Sequence, residues 1–261
     1  GMHPTTLGTH HHRSAVIRPA GVELLPKILM DAGYASSKPD EDINLYIDKE
    51  EYESCYNADD IWEKRPEDKP FFAYFKLSSP HASVFKLTPE EARQARSNLL
   101  EDDELHDPQD APVPSFVPAT PLFRERMALF YDAITNMDKQ VGELLDKLQA
   151  QGLTENTIVV FWGDHGAGYP RGKIHAYDDG LHIPLIMKFP QKYRYLAPAD
   201  PGTTVDDLVM HMDLAPTMLQ LADIPAPEHF QGRALCGPDK GAARDFVCSA
   251  RDRLDNNPEM I

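Results

Sequence analysis

Thr157-Ile158-Val159-Val160-Phe161-Trp162, followed at once by Gly163-Asp164-His165-Gly166, constrains this chain more than any other stretch. A short apolar run without polar alternation, closed by glycine, suits a strand covered on both faces, and such strands belong to sheets that helices sandwich. Two further runs read the same way: Phe71 to Leu77, entered by Lys69-Pro70, and Ile183 to Phe189. Helical patterns stand between them. Apolar residues at 22, 24, 25, 28, 29 and 32 form a stripe that Gly33 stops. Phe123 to Leu148 repeats apolar residues at about 3.6-residue spacing until Gly152. Thr88-Pro89-Glu90-Glu91 has the N-cap, early proline and acidic first turn of a helix that fades near Leu100. Asp213 is placed to cap a last helix reaching Ala222. Strands alternating with helices predict an α/β fold, a mostly parallel central sheet with helices on both faces.

Charge excludes some functions. The 261 residues carry 26 Lys and Arg against 42 Asp and Glu, a net charge of −16. The molecule as a whole therefore repels nucleic acid, and an anionic substrate needs a local positive site. The longest apolar run, Ile158 to Trp162, falls far short of the ~20 residues of a membrane-spanning helix. Cys55, Cys236 and Cys248 show no C-x-x-C spacing, so buried thiols are expected rather than a disulfide framework or a zinc knuckle. Residues 40–68 hold twelve acids against Lys49, Lys64 and Arg65 and read as a solvated loop region. Prolines at 108, 112, 114, 118 and 121 predict an irregular surface segment over 107–121. The opening Gly1-Met2-His3-Pro4 lacks the charged and apolar regions of a signal peptide, and reads as a cleavage scar or as sequence cut from a longer chain.

From Val159 to Leu196 the sign reverses: Asp164, Asp178 and Asp179 stand against Arg171, Lys173, Lys188, Lys192 and Arg194. The reversal lies just past the carboxyl end of a strand, where ligands bind in open α/β sheets. There Asp164 and His165, flanked by glycines that permit tight turns, can converge on one cation, or Asp164 can simply cap a neighbouring helix. Gly172-Lys173 offers a point charge to a tetrahedral anion. Ser79-Pro80-His81 again follows a strand and places an imidazole at the same edge of the sheet. His10-His11-His12-Arg13 reads as a solvated basic turn or an anion-contacting loop.

Together these pieces resemble the sulfatase family of the alkaline phosphatase superfamily. The matching segments run in family order: Pro4 to His10, Leu29 to Tyr34, Pro70 to Ala73 and on to Pro80-His81, then Tyr131 to Asp138. Thr157 to Gly166 follows, then Gly172-Lys173, His182-Ile183-Pro184-Leu185-Ile186 and Asp213-Leu214-Ala215-Pro216-Thr217. The resemblance implies an alkaline-phosphatase/sulfatase-like sheet and hydrolysis of sulfate esters of small molecules or glycans. Its nucleophile would be a formylglycine, assisted by a divalent cation, calcium in most members with magnesium as the alternative. It makes Asp164 and His165 ligands to that cation, with His165 alternatively binding the nucleophile or the sulfate by hydrogen bonding. Lys173 becomes a sulfate-contacting lysine, His81 the general acid at the leaving oxygen, and Lys38 and His182 substrate-binding residues. It also implies a periplasmic or secreted setting.

The departures are as informative. No Cys lies in the family's C-x-P-S-R motif, and the early Asp-Asp pair of cation ligands has no counterpart. The expectation is one partial catalytic domain over 1–261, lacking the nucleophile-bearing first strand and the C-terminal subdomain, and inactive alone. Gly33-Tyr34-Ala35-Ser36-Ser37-Lys38 is shorter than the family's glycine-lysine stretch, which leaves Lys38 as the candidate there. An exposed sheet edge in such a fragment could drive homo-oligomer formation. Two other functions fit part of the pattern: a phosphoesterase or phosphonate hydrolase of the same superfamily, or a non-catalytic binder of sulfated glycans.

Overall fold

The computed structural model describes residues 1–9, 16–39 and 45–251; His10 to Arg13 and the first residues of the acidic 40–68 stretch lie outside the described residues. Its helices are α1 (Pro4–Leu7), α2 (Leu25–Asp31), α3 (Ile61–Lys64), α4 (Pro89–Leu99), α5 (Pro121–Ala150), α6 (Asp178–Leu181) and α7 (Leu214–Leu221). Its strands are β1 (Ala35–Ser36), β2 (Phe71–Phe72), β3 (Val159–Trp162) and β4 (Leu185–Lys188). The chain forms two compact units: Gly1–Phe75 with Glu155–Val159 and Met187–Ile261, and Lys76–Thr154 with Val160–Ile186.

In the first unit β1 pairs in parallel with β2, Ala35 opposite Phe71 and Ser36 opposite Phe72. Ser37 continues the pattern through a parallel bridge to Tyr56, while its hydroxyl accepts the Tyr74 amide at 3.0 Å. The buried Trp62 of α3 stacks on Phe75 with centroids 5.4 Å apart and meets Phe71 edge-on, so α3 packs on the β2 segment through aromatic rings. Cys55 and Cys236 are buried, as composition suggested, and Cys248 is exposed. Burial pushes the Cys236 thiol up to about 11, which keeps it protonated and unreactive at neutral pH.

Asp213 stands at the N-cap position of α7, as expected, but its carboxylate makes no cap bond and is instead fully buried. It accepts the Met210 and Arg233 amides at 2.9 Å each and the Arg244 guanidinium at 2.7 Å. A carboxylate removed from water needs a cation and several donors, which a helix terminus on its own does not provide.

The second unit is built on α5. Thr120 caps it, and α4, opened by the Thr88–Glu91 capping box, packs against it. Here too a fully buried aspartate is the fastener. Asp132 of α5 accepts Arg96 Nε of α4 at 2.5 Å and both the amide and the ring Nδ1 of His106 at 2.8 Å. Met127 and Ala128 face Phe85, Phe130, Tyr131 and Tyr169 in an aromatic-rich core.

The apolar strands are shorter and less covered than their composition predicts. Residues of β2 and β3 are half-buried, and β4 alternates, leaving Ile186 61 % exposed. Each described ladder has two strands, β1 with β2 and β3 with β4, and the Tyr56 amide donates to the Ser36 carbonyl at 2.9 Å on the other side of β1. Among the described residues no helix is long and apolar enough to cross a membrane.

Candidate functional site

Strand β3 delivers its carboxyl end into a loop that folds back tightly on α6. The Gly163 amide donates to the Pro184 carbonyl at 3.1 Å, tying the strand exit to the entrance of β4. The Gly166 amide donates to the Gly180 carbonyl at 3.1 Å, and a Cβ at Gly166 would stand 1.7 Å from the Asp179 carbonyl oxygen. A Cβ at Gly172 would meet the Ala167 carbonyl oxygen at 2.0 Å, the same oxygen that accepts the Lys173 amide at 2.6 Å. Only glycine allows such approach.

Arg171 and Ile174 bracket Lys173 with φ of 70° and 69°. For a β-branched residue such as Ile174 the left-handed region is a genuine outlier, and each such residue costs about 1–3 kcal/mol. The loop holds Lys173 in place at a conformational cost.

Lys173 Nζ lies 3.2 Å from His81 Nε2. His81 caps the 3-10 turn Ala82–Lys86, where the Ser83 amide points at Nδ1 from 3.3 Å and the Ser83 hydroxyl stands 3.1 Å away. Donors thus face both ring nitrogens. A neutral imidazole has one lone pair and can satisfy one of them, with Ser83 Oγ able to accept when Nδ1 carries the proton; the imidazolium can satisfy neither. Burial, then the charges of Lys173 and His165, accordingly lower the His81 pKa. Asp164 pulls the other way, which places all four groups within electrostatic reach of one another.

His165 Nδ1 is 2.8 Å from the Gly166 carbonyl, so that nitrogen donates. Nε2 faces Asp164 Oδ2 at 3.4 Å, and the Asp164 side chain is 84 % exposed. A carboxylate and an imidazole nitrogen side by side can share a proton or a cation, and a backbone carbonyl on the far nitrogen is the usual orienting partner of a metal-bound histidine. The donor chemistry fits one carboxylate and one imidazole of a cation's shell. Among the described residues no group of three or more His, Cys, Asp or Glu side chains gathers there or elsewhere, so the pair alone would supply only part of a coordination sphere.

His182 is 82 % exposed, with its Nδ1 3.7 Å from Asp178. Lys38 belongs to the first unit, exposed just past β1, with its amide on the Tyr56 carbonyl and its charge felt by Cys55. Sequence reasoning passed over Ser83, although a hydroxyl two residues after a capping histidine is a readable sign of a side-chain-to-turn contact. It treated Arg171 only as one charge in a window.

The mixed helix-and-sheet fold is that of sulfatases and their superfamily relatives, as the solved structures below show. The family description "Sulfatase" matches residues 53–224, and the chain belongs to the sulfatase family. An "Ulvan-active sulfatase" of Formosa agariphila is 30% identical over 300 residues, covering 100% of this chain and 49% of that relative. Human "N-sulphoglucosamine sulphohydrolase" is 30% identical over 187 residues, covering 65% of this chain and 36% of its own length. The chain thus spans about half or less of the length of these curated relatives. Among solved structures, a protein in complex with its substrate D-glucosamine-2-N,6-O-disulfate has a TM-score of 0.59 at 18% identity, over 95% of this chain and 71% of that one. A phosphonate monoester hydrolase from Silicibacter pomeroyi has a TM-score of 0.52 at 19% identity, over 81% of this chain and 48% of that one. These likenesses establish the fold.

Proposed function

We propose that this chain carries the sulfate-binding and leaving-group side of a sulfuric ester hydrolase acting on sulfated glycans. The supporting observation is the 3.2 Å contact of Lys173 Nζ with His81 Nε2 beside the Asp164–His165 pair. Lys173 offers fixed positive charge to sulfate oxygens, on which charge builds in the transition state. An ammonium drawn onto sulfate no longer needs the His81 lone pair, and the anion offsets the positive charge that depresses the imidazole. His81 can then hold a proton on Nε2 and pass it to the departing sugar oxygen, with Ser83 accepting from Nδ1. Asp164 and His165 are proposed as two ligands of a divalent cation, calcium by the hardness of the carboxylate, which would neutralise the ester's charge when bound. Lys38 and His182 are proposed as peripheral contacts to substrate. The formylglycine nucleophile that the family uses would come from residues outside this chain, since no Cys here lies in C-x-P-S-R.

Titration of 4-nitrocatechol sulfate tests this reading directly. Wild type is expected to bind the ester without turnover, and Lys173→Ala to lose about tenfold or more in affinity, the scale of one charge-assisted contact. Turnover that survives Lys173→Ala, or unchanged affinity in that variant, would overturn it.

A further inference from the structure

Lys173 and His81 meet across 92 positions of chain, so both ends of their contact need a common frame. The rings around Tyr169 supply it. Tyr169 stands edge-on to Phe85 with centroids 6.0 Å apart, and Phe85 lies in the Ala82–Lys86 turn that His81 caps. The same ring is 6.3 Å from Phe130 of α5 and 6.3 Å from Phe116 of the proline-rich segment. That segment is itself fastened to α5. Arg124 Nη1 donates to the Gln109 and Ala111 carbonyls at 3.0 and 3.2 Å, and the Tyr131 hydroxyl donates to the Pro112 carbonyl at 3.3 Å. Across a cleft of about 530 Å³ it faces the loop that bears Lys173.

His81 rests on this cluster through Phe85, and Lys173 reaches it through Arg171. The Arg171 guanidinium lies over Phe116 at 4.6 Å and over Tyr177 at 5.4 Å, between a ring of the fastened segment and the ring at the N-cap of α6. Its backbone sits at φ 70° because the loop packs closely: the Arg171 carbonyl oxygen is 3.3 Å from where a Cβ on Gly180 would stand. A non-glycine residue held there favours a return to negative φ, and that rotation, two positions before Lys173, would swing Nζ away from His81. A flat guanidinium stacks on rings where an ammonium would not, so arginine suits the restraint. We propose that Arg171 and Phe116 are positioning residues for Lys173: the guanidinium, stacked on Phe116, offsets the strain of its own backbone and so keeps Nζ against His81. Neither residue touches a reacting group. The consequence for sulfate rests on the sulfate-ester reading of Lys173 and His81, whereas the clamp on their contact stands on the geometry alone.

Two substitutions at one position test it. Arg171→Ala loses the stack and keeps the unfavourable φ, while Arg171→Gly loses the stack and the strain together. A clamp that offsets strain predicts different outcomes for the two, whereas a direct pull of the arginine charge on an anion predicts the same loss in both. The readouts, on the whole chain, are the ring C–H resonance of His81 at about pH 8, where the imidazole is neutral, and the calorimetric affinity for inorganic sulfate. Lys173→Ala marks where the resonance lies once the contact is gone. Arg171→Ala should move it most of the way there and weaken inorganic sulfate about fivefold, and Arg171→Gly should return the resonance to its wild-type position and the affinity to within about twofold. Phe116→Leu keeps the apolar bulk and removes the ring face. It should shift the resonance the same way and weaken sulfate about threefold, with Phe116→Tyr restoring both. A dispersed amide spectrum separates these effects from unfolding. Equal displacement in Arg171→Ala and Arg171→Gly, or a wild-type resonance in Arg171→Ala or Phe116→Leu, would overturn the clamp. So would a displaced resonance with unchanged sulfate affinity where Lys173→Ala does weaken it. If Lys173→Ala leaves sulfate affinity unchanged, the sulfate-ester reading fails and the resonance alone decides on the clamp.

Discussion

Asp213 in the first unit and Asp164 in the second are both aspartates in reach of basic groups, and their surroundings differ completely. Asp213 is fully buried, with both oxygens committed to Arg244 and backbone amides. Asp164 is 84 % exposed, and a ring nitrogen of His165 stands 3.4 Å from its carboxylate. Asp132 belongs with Asp213, since Arg96 and His106 saturate it. A buried carboxylate bound on both oxygens holds elements together, and an exposed one beside a single imidazole can take a ligand.

Removing the cation from a saturated carboxylate should have the largest effect. Arg244→Ala leaves Asp213 buried without its counter-charge and should cost about 3–5 kcal/mol of stability, read by urea denaturation. A loss below 1 kcal/mol would dissolve the contrast with Asp164. The same variant should alter the acid limb of the stability profile. Burial alone would raise the Asp213 pKa, but Arg244 and the Arg233 and Met210 amides outweigh it and hold the group below its ordinary value. The ionised form therefore contributes stability above the unfolded carboxylate pKa, and that contribution fades as pH falls through the lower folded pKa. In Arg244→Ala the loss should set in at higher pH.

Lys173→Ala ranks next. In an enzyme that includes the nucleophile motif, its removal should lower kcat by about 10²–10³, the scale of one lost transition-state donor, while melting changes little. Ser83→Ala should have a smaller effect. It takes away the acceptor for Nδ1–H, so the His81-dependent limb of the pH–rate profile should move, and Ser83→Thr should restore it. At the small end, Asp164→Asn should alter stability by no more than about 0.5 kcal/mol, as expected of an exposed side chain. A large loss there would place Asp164 with Asp132 and Asp213 as a structural group.

What could be read from sequence was local. The Thr88 capping box, the Thr120-capped α5 and the strand before Gly163 lie where residue type and periodicity put them, because caps and apolar stripes act over a few residues. His81 and Lys173 were visible as separate motifs, but the contact that joins them spans 92 positions. The N-cap position of Asp213 is legible, but its carboxylate's partner is not, since Arg244 stands 31 residues away and no local pattern announces it. The strain at Arg171 and Ile174 was invisible because neither residue type favours positive φ; packing of Gly166, Gly172 and Gly180 against neighbouring carbonyls imposes it. The two-sided cover expected of β2 and β3 is only partial here, and an apolar run reports what a strand prefers to touch rather than what touches it.

The close approach at Gly166 bears on how this protein can change over generations. A methyl group there has nowhere to go, so the loop bearing Lys173 is nearly closed to variation. The opposite wall of the cleft, residues 112–116, is an irregular segment outside helix and strand. Phe116 apart, that wall can therefore be rewritten, under selection or in the laboratory, while the loop bearing Lys173 stays where it is.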